Sequence, residues 1–298
     1  VQEKIATPIL RIANPEVAVA YLRGDWQLRD PAFLDALDIA RETGLRLQPG
    51  FLQLGREDAT FYFVQGKALM ITTGSWDSPS FRMQVDFDIG VFPIPLPSRE
   101  HPRYGRNLLG PSSEAEAGTG LAFGLTRLST APERAVDFML YLASQPHNAE
   151  FSRLSGWLPS VVGVRPPPEI EPFLPRIEGY VPGFDFSASS IGTSGLRVVE
   201  NAANQLYSPQ GSADAFVTAL EARLPEAFAD DIRRTARQLE FNTARQDIAV
   251  LAYLALHTRQ PEEPLHAVRL EQVLESQHLL EGTRLRLLDT LARRPERP

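Results

Sequence analysis

Ala68-Leu69-Met70-Ile71-Thr72-Thr73, running straight into Gly74-Ser75-Trp76-Asp77, is the stretch that decides the expected fold. Six apolar and β-branched residues without interruption match a strand buried on both faces, as the inner strands of α/β sheets are. Upstream, Asp30-Pro31 followed by Phe33, Leu34, Leu37 and Ala40, closed by Gly44, predicts a capped amphipathic helix. A shorter helix runs from Asp58 through Phe61, Tyr62 and Val64 and stops at Gly66. Downstream, Phe87, Ile89 and Val91 alternate with Asp86, Asp88 and Gly90, the period of two that marks a second strand. Leu121 to Leu125 predicts a third. Thr130-Ala131-Pro132-Glu133 opens another helix, with Val136, Met139, Leu140 and Ala143 as its apolar face. Helices interleaved with short strands predict an α/β architecture.

The texture changes twice further along, which divides the chain into an α/β lobe (1–165), a proline-rich loop or hinge region (166–211) and a helical C-terminal segment (212–298). Pro166-Pro167-Pro168, Pro172, Pro175 and Pro182 oppose long regular elements in the middle region. Small hydroxylated and glycine residues fill Ser187 to Gly195 within it. In the last region Phe216, Leu220 and Leu224 mark one helix face, and Ile232, Ala236 and Leu239 another. Ile248 to Leu256 is apolar nearly all round. Leu270, Val273, Leu274, Leu285, Leu288 and Leu291 predict a final amphipathic helix. No internal repeat of solenoid period is present.

Composition narrows the classes of function. Of 298 residues 43% are hydrophobic and 22% charged, which suits a folded chain with a sizeable core. A net charge of -7 offers no basic field for nucleic acid. The arginine-rich end, Arg284 to Arg297, reads as the solvated face of a terminal helix. Cysteine is absent, which removes disulfides, thiolate metal sites and cysteine nucleophiles together. The longest apolar run, Ile248 to Leu256, is far shorter than the roughly 18–20 residues that cross a bilayer. Val1 is not an initiator and no leader opens the chain, so it reads as processed or truncated.

Most chemical motifs fail. His101, His147, His257, His266 and His278 form no i,i+4 pair, so neither a metal site nor a cofactor is expected. Gly118-Thr119-Gly120 with Gly124 has the wrong spacing for a dinucleotide loop, and no Walker lysine or G-x-S-x-G elbow occurs. Asp86 and Asp88 on one strand face would sit about 6–7 Å apart, a spacing open to a glycosidase pair. The bland alternative is a solvated strand edge. What remains is aromatic. Trp76 follows the expected buried strand, and ligands of α/β sheets sit beyond the carboxyl ends of strands. An indole there presents a flat apolar face with a polar edge, which matches a sugar's C–H faces and hydroxyl rim. Ser75 and Gly74 allow close approach of the backbone, and Asp77 stands beside them. Ser155-Gly156-Trp157-Leu158-Pro159 is a second such place, equally open to a hydrophobic plug and to a ligand contact. Gly118, Thr119 and Gly120 offer backbone amides and a hydroxyl to a polyol, although a plain turn accounts for them as well. Trp26, just before a helix, reads as packing.

Together these pieces resemble the extracellular solute-binding proteins of ABC importers, the sugar-binding family that includes maltose-binding protein. Phe63-Val-Gln-Gly-Lys-Ala-Leu-Met-Ile-Thr-Thr-Gly-Ser-Trp76 is similar to that family's F-x-x-G-K-A-A-M-x-x-x-G-S-W segment. Phe87-Asp-Ile-Gly-Val-Phe-Pro-Ile-Pro95 looks like its strand ending in a Pro-x-Pro turn. The Gly118–Leu125 loop and strand, the Ala131–Leu142 helix, Ser155–Pro159 and the upstream Trp26–Phe33 segment follow in order. The likeness covers about residues 20–165 and implies the C-terminal α/β lobe of a two-lobe fold that closes by hinge bending.

By that resemblance Trp76 stacks on the ligand, the loop around Gly118 to Gly120 contacts it from the same lobe, and Trp157 lines the cleft or hinge; Ser75 and Asp77, beside Trp76, complete the expected ligand-binding set. The implied function is non-enzymatic: holding a carbohydrate or related polar solute and passing it to the transmembrane subunits of an ABC permease. The implied protein is monomeric and lies in the periplasm or against the outer membrane surface. The family's first lobe is missing, so the chain is expected to be a fragment, with a tail from about Arg259 that exceeds the family pattern. Two competitors remain. One is a glycan hydrolase built on Asp86, Asp88, Glu114 and Glu116. The other is an interaction module built on the helical tail.

Overall fold

The computed structural model describes residues 16–93, 95, 97–108, 110–111, 113–114, 123–126, 128–179 and 188–294. In chain order the helices are α1 (Glu16–Arg23), α2 (Pro31–Gly44), α3 (Arg56–Val64), α4 (Ser78–Gln84), α5 (Pro132–Ala143), α6 (Gln145–Ser155), α7 (Ala188–Tyr207), α8 (Ala213–Glu221), α9 (Leu224–Arg259) and α10 (Pro264–Ala292). Short 3-10 turns lie at Phe51–Gln53, Ser75–Asp77, Gly105–Asn107 and Glu171–Phe173.

Among the described residues there is no β-strand, which corrects the expected α/β fold to a helical one with irregular connections. Residues 67–74 and 85–93 are irregular chain, as are 123–126, while Leu121 and Ala122 lie outside the described residues. The physical reason is missing pairing. A strand exists only where a neighbour about 4.8 Å away supplies its ladder hydrogen bonds. No such neighbour is present among the described residues. Leu69 and Met70, expected to be buried, are accordingly 92% and 64% exposed.

The chain divides into two units: Val1–Leu47 with His101–Leu109 and Pro182–Pro298, and Gln48–Glu100 with Gly110–Val181. These limits do not coincide with the texture changes near 165 and 211. The first unit holds the larger core. Every residue from Val17 to Leu22 in α1 is buried, as befits a helix apolar all round and packed by α7, α9 and α10. Trp26 is fully buried and donates its indole N–H to the Val17 carbonyl at 3.2 Å, with Tyr21 and Phe33 rings 5.1 and 5.6 Å away. Phe216, Val217 and Leu220 of α8 close the same core, together with Leu224, Phe228 and Ile232 of α9 and Leu287 of α10. Ser212 caps α8 by accepting the Ala215 N–H at 3.0 Å.

Residues 188–207, expected to be loop, form the helix α7. Gly192 interrupts it with φ 80°, a left-handed value that only glycine adopts freely. The helix restarts at once because Asp231 of α9 supplies an N-cap from 37 residues away. Its buried carboxylate accepts the Ser194 N–H at 3.0 Å and the Gly195 N–H at 2.9 Å. α9 and α10 then form a long hairpin, which merges the separate segments seen in sequence. Gln246 bonds Ser276 at 3.1 Å, and Arg284 pairs with Glu240 at 3.3 Å, bonds that fix an antiparallel register.

Candidate functional site

The site lies within the second unit and is built from α3, α4 and the turn before α4. α3 begins after Gly55, whose N–H is accepted by the Asp58 carboxylate at 2.9 Å. Glu57 and Asp58 complement the helix dipole in that first turn. At the other end Gly66 takes φ 65° and stops the helix, where the sequence places its end. Phe63 is buried and meets the Phe81 ring of α4 at 5.3 Å and the Phe87 ring at 5.7 Å. Three aromatics thus hold α3 against α4. Such offset and edge contacts contribute about 0.5–1.5 kcal/mol each beyond their burial.

Between the two helices the chain passes through Gly74 and the Ser75–Asp77 turn. The Asp77 N–H donates to the Gly74 carbonyl at 3.2 Å, and the Ser78 N–H donates to the Ser75 carbonyl. Trp76 is 58% exposed. Its six-membered ring folds back over Gly74, so closely that a methyl group on Gly74 would lie 2.3 Å from it. A larger residue there would push the indole aside.

Asp77 does not face solvent freely. Arg56, the first residue of α3, places Nη2 2.5 and 2.6 Å from its two carboxylate oxygens, and the Thr73 hydroxyl donates to the same carboxylate. The side chain is 17% exposed. Burial pushes its carboxyl up, but the Thr73 hydroxyl and the Arg56 guanidinium more than reverse this, leaving it below the usual carboxylate value. Arg56 is raised in turn, chiefly by its hydrogen bond to Asp77.

The second tryptophan follows α6. Gly156 caps α6 in the left-handed region at φ 68°, and a methyl group on it would meet Pro79 Cγ of α4 at 2.7 Å. That contact packs the end of α6 on the start of α4. The Trp157 carbonyl accepts the hydroxyl of the fully buried Ser152 at 2.6 Å, and its ring sits edge-on to Phe151 at 6.1 Å. Trp157 is 39% exposed.

Of the residues singled out in sequence, Ser75, Trp76 and Asp77 share one short turn, and Trp157 follows Gly156, which packs on Pro79 of α4. Gly118, Thr119 and Gly120 lie outside the described residues, as does Glu116. Asp86 and Asp88 are exposed on irregular chain, and Glu114 accepts the Arg176 N–H at 2.8 Å. Among the described residues no cluster of three His, Asp or Glu side chains is placed to hold a metal, and no helix is long and apolar enough to cross a membrane. Arg56 and Thr73 were not visible as site residues in sequence. The only available signal was an arginine at a helix start, 21 residues before its partner. Compared with known proteins, the chain matches no family model, no curated protein and no solved structure.

Proposed function

We propose that this chain binds a carbohydrate, with the Trp76 indole as the stacking platform. One observation carries this: Trp76 holds its ring 58% exposed on a turn that side-chain bonds fix at both ends. An exposed indole on a turn that also carries the Ser75 hydroxyl offers an apolar face with a polar group on the same short segment. That combination matches the alternation of C–H and O–H on a pyranose. The segment from Phe63 to Trp76 supports assignment to solute capture for an ABC importer, with the permease's transmembrane subunits as partners and the periplasm or outer surface as location.

The test is titration with mono- and oligosaccharides, read by tryptophan emission and thermal shift, on the native chain and on Trp76→Ala. A sugar-dependent signal that weakens at least tenfold in the variant, about 1.4 kcal/mol, is expected. A sugar response that survives intact in Trp76→Ala overturns the assignment of the platform. A folded native chain that responds to none of the sugars overturns carbohydrate binding.

A further inference from the structure

The turn that carries Trp76 has little backbone support. The eight residues before it are irregular, and the turn itself is three residues long. Its geometry is set instead by side chains. Thr73 stands immediately before Gly74-Ser75-Trp76 and Asp77 immediately after, and their side chains bond one another, which closes a ring around the three residues between. Arg56 ties that ring to α3 through both carboxylate oxygens. α3 is itself fixed to α4 by Phe63 and Phe81. On the inner side, the missing side chain of Gly74 leaves the space in which the indole lies.

We propose that Arg56, Thr73 and Asp77 form a clamp that orients the Trp76 indole, so that all three are positioning residues and Asp77 is not itself a ligand contact. The acceptor capacity of Asp77 supports this. Its carboxylate already accepts two bonds from Arg56 and one from Thr73, and with the side chain only 17% exposed it offers little to a ligand. An orienting role also suits the platform. Stacking depends on ring attitude, and a free χ1 rotation would cost the ligand the entropy of fixing it at each encounter. What the platform is for rests on the carbohydrate assignment above; the orientation of the indole does not.

The experiment labels the chain with 5-fluorotryptophan and follows its three indoles by fluorine NMR, with the Trp76 resonance identified by its loss in Trp76→Phe. In Asp77→Ala, Thr73→Val and Arg56→Met, the Trp76 resonance is expected to narrow and move toward that of free fluorotryptophan. The buried Trp26 resonance should stay in place, showing that the fold persists. The exchanged pair Arg56→Asp with Asp77→Arg, which restores opposite charges, is expected to return the Trp76 resonance most of the way. An unmoved Trp76 resonance in the single variants, with Trp26 intact, overturns the clamp. So does failure of the exchanged pair to restore a resonance that the singles have moved. These spectra are taken without ligand, so a chain that binds no sugar would sink the functional assignment and leave the clamp standing.

Discussion

Asp231 and Gly192 depend on each other. A side chain on Gly192 would meet the Asp231 carboxylate at 2.3 Å and would also have to adopt φ 80°. Gly192→Ala is therefore expected to destabilise the first unit by more than about 1 kcal/mol. Asp231→Ala removes the cap and leaves buried N–H groups unmatched, for a loss of about 2–3 kcal/mol. Urea unfolding followed by helix signal measures both; unchanged midpoints would show that α7 needs no outside cap. Asp77 sets a dependence on pH. Its folded carboxyl lies below the ordinary value, so its pairing with Arg56 stabilises the fold at every pH above about 4. That contribution fades as pH falls through the lowered folded value. The native fluorine signal of Trp76 should hold from pH 8 to about 4 and shift below it. Asp77→Asn should show no such step. At this scale the sequence was informative about residue types and poor about partners. Trp76 and Gly74 could be picked out locally, because small residues flank an indole. Asp231 capping a helix across 37 residues, and Arg56 reaching Asp77 across 21, depend on a fold that no local window contains.

The helices illustrate the same division. Pro31–Gly44 and Pro132–Ala143 were legible from the proline at their first position and, in the first, from the glycine that ends it, although neither has a side-chain cap bond at its start. The apolar face of α5 is turned by about one position, with Met139 half-buried and Val136 and Leu140 exposed. The two strands expected on described chain fail because an apolar run records only that burial is wanted, while pairing decides whether a ladder forms. α7 was missed for the opposite reason. Its apolar positions Leu196, Val199, Ala202 and Leu206 do recur at helical spacing, but glycine and serine at its start obscured them. The α9–α10 hairpin carries a difference along its length. Buried residues of α9 run only from Leu224 to Ala236, and those of α10 are Leu287 and Thr290. Toward the tip polar groups join half-buried apolar ones such as Tyr253 and Leu270, and Gln246 Oε1, His257 Nδ1 and His266 Nδ1 are buried without a partner. Amide exchange is expected to be at least tenfold faster at 245–278 than at 226–236. Replacing both tip histidines by leucine should narrow that gap, since each unmatched buried group costs about 1–3 kcal/mol. Uniform protection along the hairpin would contradict this.

The two units differ in the same way on a larger scale. The first encloses a continuous apolar core, whereas the second buries few large side chains, Phe63, Phe81 and Ile170 among them, and leaves Leu69, Phe92 and Phe138 exposed. Limited proteolysis should therefore cut first within 48–100 or 110–181 and leave Trp26 buried, with a thermal melt in two steps. A single transition with cuts scattered over both units would refute the difference. The first unit, in turn, is assembled from chain ends: Val17 to Leu22 near one end share a core with Leu287 near the other. During synthesis at 5–20 residues per second, α1 leaves the ribosome roughly 13–50 s before Leu287 does. Until α7 and the first turns of α9 follow it out, its apolar surface has no permanent cover, and the helix most central to the finished core is the one most exposed to a holding chaperone.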